Sequence, residues 1–211
     1  MEKPAPVVHP IHELLRRRWS PRAFSAQRVA PETLRSLFEA ARWAASCFND
    51  QPWAYLVATK DDPENFAKML GILVEGNVAW ARHAPVLMLS LARLNFAHNG
   101  TPNRHAFHDV GAASASLTFE AVARGLAVHQ MGGFFVDKAR ETFNIPTDWE
   151  PVAAIALGYP VETLEAVPPE LRERESAPRH RKSIEEFVMT GSFGCIAPFV
   201  QAASAEKRAR G

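Results

Sequence analysis

The segment from His105 to Arg124 constrains the fold of this chain more than any other. Val110, Leu117 and Val122 give it apolar anchors, and Gly111, Ala112, Ala113, Ser114 and Ala115 follow one another as small residues. It reads as a helix that stops at Gly125, a residue suited to the left-handed turn that closes many helices. Side chains this small let a sheet or a second helix approach the backbone closely, so this helix is expected at the centre of the domain. Short apolar runs supply the sheet: Tyr55 to Thr59, Pro85 to Ala92, Leu126 to Met131 and Val152 to Leu157 read as strands.

Helical periods separate those runs. Ile11 to Arg18 reads as a short helix ending at Ser20-Pro21, because the residue before a proline disfavours the helical region. Pro31 suits a first helical position, and Leu34, Leu37, Phe38, Ala41 and Ala45 carry the period to about Ser46. Asn65 to Arg82 is expected to be mostly helical despite Gly71 and Gly76, and Leu94 to Asn103 reads as a polar loop. Asp137 can cap a helix through Phe143, and Ser183 with Glu186 forms a capping-box signature. Strands alternating with helices predict an α/β or α+β sandwich around one sheet.

A length of 211 residues suits one domain with a substantial core. Val161 to Pro178 mixes acids, bases and prolines without an apolar period, so about 161–211 is expected to form an extended arm and tail packing on a second subunit of a homodimer. The net charge of +1 gives no general attraction for nucleic acid or anionic lipid, and neither is expected as a partner. Cys47 and Cys195 are too few for a disulfide framework and fit a reducing compartment. Arg16 to Arg18 interrupt any apolar run near the start, so no signal peptide or membrane span is expected, and the cytoplasm is the expected location.

Three segments carry chemistry. Arg16, Arg17, Arg18 and Arg22 surround Ser20, offering guanidinium forks and a hydroxyl to an anion. The plainer reading is a solvated helix end. Asn49-Asp50-Gln51-Pro52-Trp53 offers amides and aromatic surface, or is simply a turn with a core tryptophan. Gln130-Met131-Gly132-Gly133-Phe134 closes a strand on two glycines, where backbone can approach a planar ligand or merely turn. An anionic tail, a polar chain and a flat ring together describe flavin mononucleotide (FMN). His105, His108 and Asp109 lack a third ligand motif, and polar residues at a helix start are the reading preferred to a metal site. There is no dinucleotide-binding glycine fingerprint, phosphate-binding loop or nucleophile elbow.

In order, Arg18-x-Ser20-x-Arg22-x-Phe24, Ser46-x-x-Asn49-x-Gln51-Pro52-Trp53, Asn77-x-x-Trp80 before Ala84-Pro85, His108-Asp109-Val110-Gly111-Ala112-Ala113, Gly125-Leu126 and Ala154-x-Ala156-Leu157-Gly158-Tyr159-Pro160 resemble the nitroreductase superfamily of flavin enzymes. The resemblance spans about Leu14 to Phe187. It implies an α+β fold with a central mixed sheet flanked by helices, an extended C-terminal arm, and FMN bound at a dimer interface. By the same resemblance Arg18 and Ser20 reach the phosphate or ribityl chain, and Arg22 sits nearer the pyrimidine end. Ser46, Cys47 and Asn49 match a segment given by the neighbouring subunit, and Asn77 faces the pyrimidine edge. Gly132 and Gly133 present backbone N–H toward flavin N5, and Arg179 and Arg181, with Lys182 as alternate, contact phosphate. Trp19, Gln51, Gln130 and Met131 flank these positions and complete the candidate cofactor set.

The chain departs from the family at Ala45 and Cys47, where many members have proline and serine, at Trp80 for a basic residue, and at Gly132 for an acidic one. The activity implied is hydride transfer from transient NAD(P)H through FMN to a nitroaromatic, quinone or activated enone, with no side-chain general acid. The rival readings are a non-enzymatic FMN store or sensor, and a specialised branch performing flavin fragmentation, deiodination or small-carbonyl reduction.

Overall fold

Alternation of side chains along two central strands decides how the domain is layered. The computed structural model describes residues 1–200. They form two compact units, one spanning Met1–Ala177 and a second beginning at Pro178. In the first, β1 (Trp53–Thr59), β2 (Val86–Arg93), β3 (Ala127–Met131) and β4 (Trp149–Gly158) make one sheet in the order β1-β2-β4-β3. Leu87, Leu89 and Leu91 of β2 and Ala154 and Ala156 of β4 enter one core, while Val86, Met88, Ile155 and Leu157 enter another. Successive side chains on a strand point to opposite faces, so both faces are covered.

The first face is covered by α3 (Pro63–Gly71), α4 (Glu75–Ala81) and α6 (Val136–Phe143) through Phe66, Met69, Trp80 and Ala139. On the second face lie α2 (Pro31–Arg42) and α5 (Ala106–Ala123), which pack together through Leu37, Ala41, Ala113, Leu117 and Ala121. The alanine-rich helix is therefore central, as its small residues require. The α+β class expected from the sequence is found. The strands are antiparallel throughout, and the mixed sheet is corrected on that point for the described residues.

Several boundaries differ for identifiable reasons. β4 begins at Trp149 rather than Val152, because a register shift between Ser90 and Leu91 lets the strand continue past Pro151, which has no N–H to give. The helical stretch expected over Asn65 to Arg82 is two helices. Leu73 bridges Phe134, Val74 N–H donates to the Gly133 carbonyl at 3.1 Å, and Phe135 N–H to the Ile72 carbonyl at 2.8 Å. That pairing interrupts the helix. α2 stops at Arg42, short of Ser46, and Asp137 lies in the first turn of α6 rather than capping it.

A short α1 (Glu13–Arg17) precedes the first candidate segment, as expected. The stretch 161–177 is not an extended arm. Val167 and Leu171 are buried in the first core, Val161 and Leu164 pack against it, and α7 (Arg172–Ser176) follows. In the second unit Ser183 and Glu186 form the expected capping box. Residues 201–211 of the expected tail lie outside the described residues. Among the described residues no helix is long and apolar enough to cross a membrane.

Candidate functional site

Backbone pairing just beyond β4 fixes the arginine-rich segment. Phe24 bridges Pro160, Ser25 N–H donates to the Tyr159 carbonyl at 2.8 Å, and Val161 N–H to the Ala23 carbonyl at 3.3 Å. Ahead of that anchor the side chains part. Arg18 Nη1 donates to Ser20 Oγ at 3.3 Å, and both line a cavity of about 190 Å³ with Gln130 of β3 and Ala115, Thr118 and Phe119 of α5. Trp19 goes elsewhere. It lines a separate concavity of about 650 Å³ with Arg17 and Tyr159, and Lys3 Nζ stands 5.4 Å from its ring centre. The structure thus joins Arg18, Ser20 and Gln130 and leaves Trp19 out.

His129, on β3, faces the same segment. Its Nδ1 lies 2.9 Å from the Pro21 carbonyl, which can only accept, so Nδ1 carries the proton. Burial pushes the imidazole below its ordinary value of 6.5, the Pro21 hydrogen bond opposes this, and the charges of Arg22 and Arg18 add to it. The folded state therefore binds a second proton, on Nε2, less readily than the unfolded chain, and stability is expected to fall as pH drops below about 6.5. In His129→Gln, chemical unfolding at pH 7 and pH 5 is expected to show a smaller loss than in the parent. An equal loss in both proteins removes His129 as the cause.

Arg22 has a partner that no local pattern announces. Its backbone N–H donates to Glu175 Oε2 at 3.1 Å, and its Nη1 lies 3.6 Å from Glu175 Oε1. The Glu175 side chain is 1% exposed and that of Arg22 30%. At 3.6 Å the Oε1 contact is ionic rather than a hydrogen bond, and Oε1 has no hydrogen-bond partner. Burial raises the Glu175 carboxyl, while the Arg22 N–H and charge, and the charge of Lys3, lower it.

The interruption between α3 and α4 sets Asn77 beside the glycine pair. Asn77 Nδ2 donates to the Gly133 carbonyl at 3.0 Å. A Cβ on Gly133 would lie 2.6 Å from that Nδ2 and 2.9 Å from Val74 Cγ2, so only glycine fits beneath the amide. Gly132 is exposed, with no atom within 4 Å of where a Cβ would stand. Met131 is 4% exposed and belongs to the core. Trp80 is also buried, its ring 6.4 Å from that of Phe24 and 4.5 Å from that of His129. It supports the arginine segment from below.

Ser46 to Gln51 forms a strained loop around a single 3₁₀ turn. Phe48, Asn49 and Gln51 have φ of 52°, 55° and 50°, a left-handed region that Asn tolerates and that is costly for Phe and Gln. Local bonds hold it. Cys47 N–H donates to Asp109 Oδ2 at 3.0 Å, Gln51 N–H to Ser46 Oγ at 3.0 Å, and Gln51 Nε2 to the Asn49 carbonyl at 3.1 Å. The Asp50 carboxylate, 2% exposed, accepts from Arg93 Nη2 at 3.2 Å and from Ala97 N–H at 2.8 Å. Asp109 thus anchors this loop to the start of α5. Phe48 is left 80% exposed, its ring 5.8 Å from those of Phe96 and His98.

Within one chain the candidate residues therefore form separate groups. Asp109 and Thr118 are roughly 13 Å apart along α5 and point to opposite sides, at about 1.5 Å and 100° per residue. The loop 46–51 and the Arg18–Ser20–Gln130 cavity accordingly meet different faces and ends of that helix. Arg179, Arg181 and Lys182 belong to the second unit. Arg181 Nη1 donates to the His180 carbonyl at 2.7 Å, and burial together with the charge of Arg181 lowers the Arg179 guanidinium. Reading the sequence missed Glu175 and His129; it expected Asp109 to be a polar residue contacting a loop from the helix start, and the loop it holds is 46–51. Glu175 lies 153 residues from Arg22, and no periodicity spans such a distance.

Comparison with known proteins fits this geometry. The model of the Nitroreductase family matches residues 15–159. A structure described as an oxidoreductase containing FMN superposes with a TM-score of 0.84 at 34% identity, covering 90% of this chain and 96% of its own. A structure named as a nitroreductase in complex with FMN, from Desulfovibrio desulfuricans, shares the fold with a TM-score of 0.65 at 24% identity, covering 85% of this chain and 95% of its own. An uncharacterized 15.4 kDa protein of the ask 5' region of Mycolicibacterium smegmatis is 37% identical over 131 residues, which is 62% of this chain and 86% of that protein. By its matched span and its order of motifs, the chain belongs to the nitroreductase family.

Proposed function

We propose that this protein is an FMN-dependent oxidoreductase acting as a homodimer in the cytoplasm. One observation carries the reading: the end of β3 joins two complementary half-sites. Gln130 stands in the cavity with Arg18 and Ser20, and the chain then runs through Gly132 to Gly133 under the Asn77 amide. The first half-site suits a phosphate or polyol, and the second leaves backbone exposed to a flat ring. The residues present therefore fit FMN. Bound there, FMN would supply the redox chemistry, accepting hydride from NAD(P)H and giving it to a nitroaromatic, quinone or activated enone in separate half-reactions.

The protein's own residues bind and orient. Arg18 and Ser20 hold the anionic tail, and Asn77 directs its amide toward the pyrimidine edge. Arg22 supplies positive charge near that edge, Gly132 keeps the approach free of side chains, and Gly133 makes room for the Asn77 amide. Ser46, Cys47, Asn49 and Gln51, held on another face of α5, would serve the site of the opposite subunit. Arg179, Arg181 and Lys182 would complete the phosphate contacts, with the chain from Pro178 onward lying against the partner. Trp19 and Met131 are not assigned contacts, given where their side chains lie.

The purified protein is expected to show flavin absorbance and to release FMN on heating. A colourless protein that takes up no FMN on titration rejects the proposal. Flavin-loaded protein that oxidises neither NADH nor NADPH with any of the three acceptor classes is instead an FMN store or sensor, or a specialised branch, which product analysis under oxygen separates from it.

A further inference from the structure

We infer that Glu175 is a positioning residue that holds Arg22 and sets how much of its positive charge reaches the cofactor. The inference rests on the FMN reading above. A carboxylate 1% exposed is costly unless it is compensated, and here the compensation comes from Arg22, through its backbone N–H at 3.1 Å and its guanidinium at 3.6 Å. Oε1 lacks a hydrogen bond although it is buried, so the guanidinium is held at ionic range and its donors are not consumed by the carboxylate. A fork in that position keeps donors available for a second partner while its net charge is partly cancelled. Lys3 belongs to the same group, donating from Nζ to the Glu175 backbone carbonyl at 2.6 Å, and the Arg22 charge also acts on His129 of β3, whose Nδ1 bonds the neighbouring Pro21 carbonyl.

The pair ties distant parts of the first unit together. Arg22 lies on the segment anchored beyond β4, and Glu175 on α7, which the buried Leu171 secures to the core. Reduced FMN carries more negative charge at its pyrimidine end than oxidised FMN. A cation near that end therefore favours the reduced form, and a carboxylate behind the cation opposes that preference.

The test uses the FMN-loaded dimer and reads the ratio of affinities for reduced and oxidised FMN, obtained from the reduction potential and direct titration. Glu175→Gln is expected to shift the ratio toward reduced FMN by on the order of tenfold, the size of effect that one adjacent charge has on an ionisation equilibrium. Arg22→Ala is expected to shift it the other way, and adding Glu175→Gln to Arg22→Ala to change it little further. Glu175→Asp keeps the charge and is expected to stay near the parent. Should Glu175→Gln fail to fold, carbon-13 NMR of the Glu175 carboxyl in the parent carries the test. Its titration midpoint is expected to rise on reduction, because the coupling is reciprocal.

A bound flavin whose ratio is unchanged in Glu175→Gln, or an identical carboxyl titration in both redox states, overturns the inference while leaving the FMN reading intact. A parent protein that binds no FMN overturns the FMN reading itself.

Discussion

Gly158→Ala is expected to destabilise the protein by about 1–3 kcal/mol, the usual cost of forcing a methyl into a packed core. A Cβ on Gly158 would lie 2.4 Å from Cδ and 2.7 Å from Cγ of Pro85, and 3.1 Å from Cδ1 of Phe24. The proline ring cannot rotate aside, and Phe24 is itself 7% exposed. Room can come only from separating the end of β4 from the start of β2, where Leu157 pairs with Val86, or from displacing Phe24. Displacing Phe24 would loosen the bridge to Pro160 that anchors the arginine segment. The melting temperature is expected to fall by roughly 2–12 °C, at about 2–4 °C per kcal/mol for a protein of this size. Gly111→Ala is the matched control, an exposed helical glycine with no atom within 4 Å of a Cβ, and it is expected to be neutral or slightly stabilising. Equal melting temperatures for Gly158→Ala and the parent contradict the steric account.

Arg18→Ala is expected to have the largest effect on cofactor binding. Arg18 and Ser20 face one cavity through a 3.3 Å hydrogen bond, so removing the guanidinium deletes the fork and frees the hydroxyl that it orients. Losing a charge-assisted hydrogen bond costs about 1.5–3 kcal/mol. FMN affinity is expected to weaken by roughly 10- to 150-fold at 1.4 kcal/mol per factor of ten. Riboflavin, which lacks the phosphate, separates the two contributions. If Arg18 grips the tail, Arg18→Ala lowers FMN affinity far more than riboflavin affinity. Parallel losses for both ligands place Arg18 away from the phosphate.

Much of the fold was legible because its signals are local. The apolar runs at Tyr55–Thr59, Pro85–Ala92 and Leu126–Met131 became strands with ends displaced by only a few residues, since a pleated strand needs little beyond its own pattern. The first residues of β4 were hidden, because a bulge is a property of two paired strands and leaves no mark in one of them. The split between α3 and α4 was hidden for the same reason, since it depends on Gly133 to Phe135 arriving from another part of the chain. Of the candidate residues, Arg18, Ser20 and Gln130 line one cavity and Asn77 meets Gly133, yet Trp19 and Met131, adjacent to such residues, point elsewhere. Neighbours on extended backbone face opposite ways, and which way is inward is decided only by what packs against them.

The sequence by itself determined the class of fold, the central place of the small-residue helix and the kinds of side chain available to an anionic flat ligand. Period, turn chemistry and residue type act over a few positions, and all three can be read along the chain. Tertiary structure alone decided that Arg22 meets a buried Glu175, that Asn77 lies over Gly133, and that the loop from Ser46 to Gln51 sits on a different face of α5 from the Arg18 cavity. Those pairings depend on long loop closures, whose outcome is set by how whole layers pack rather than by any short stretch of residues.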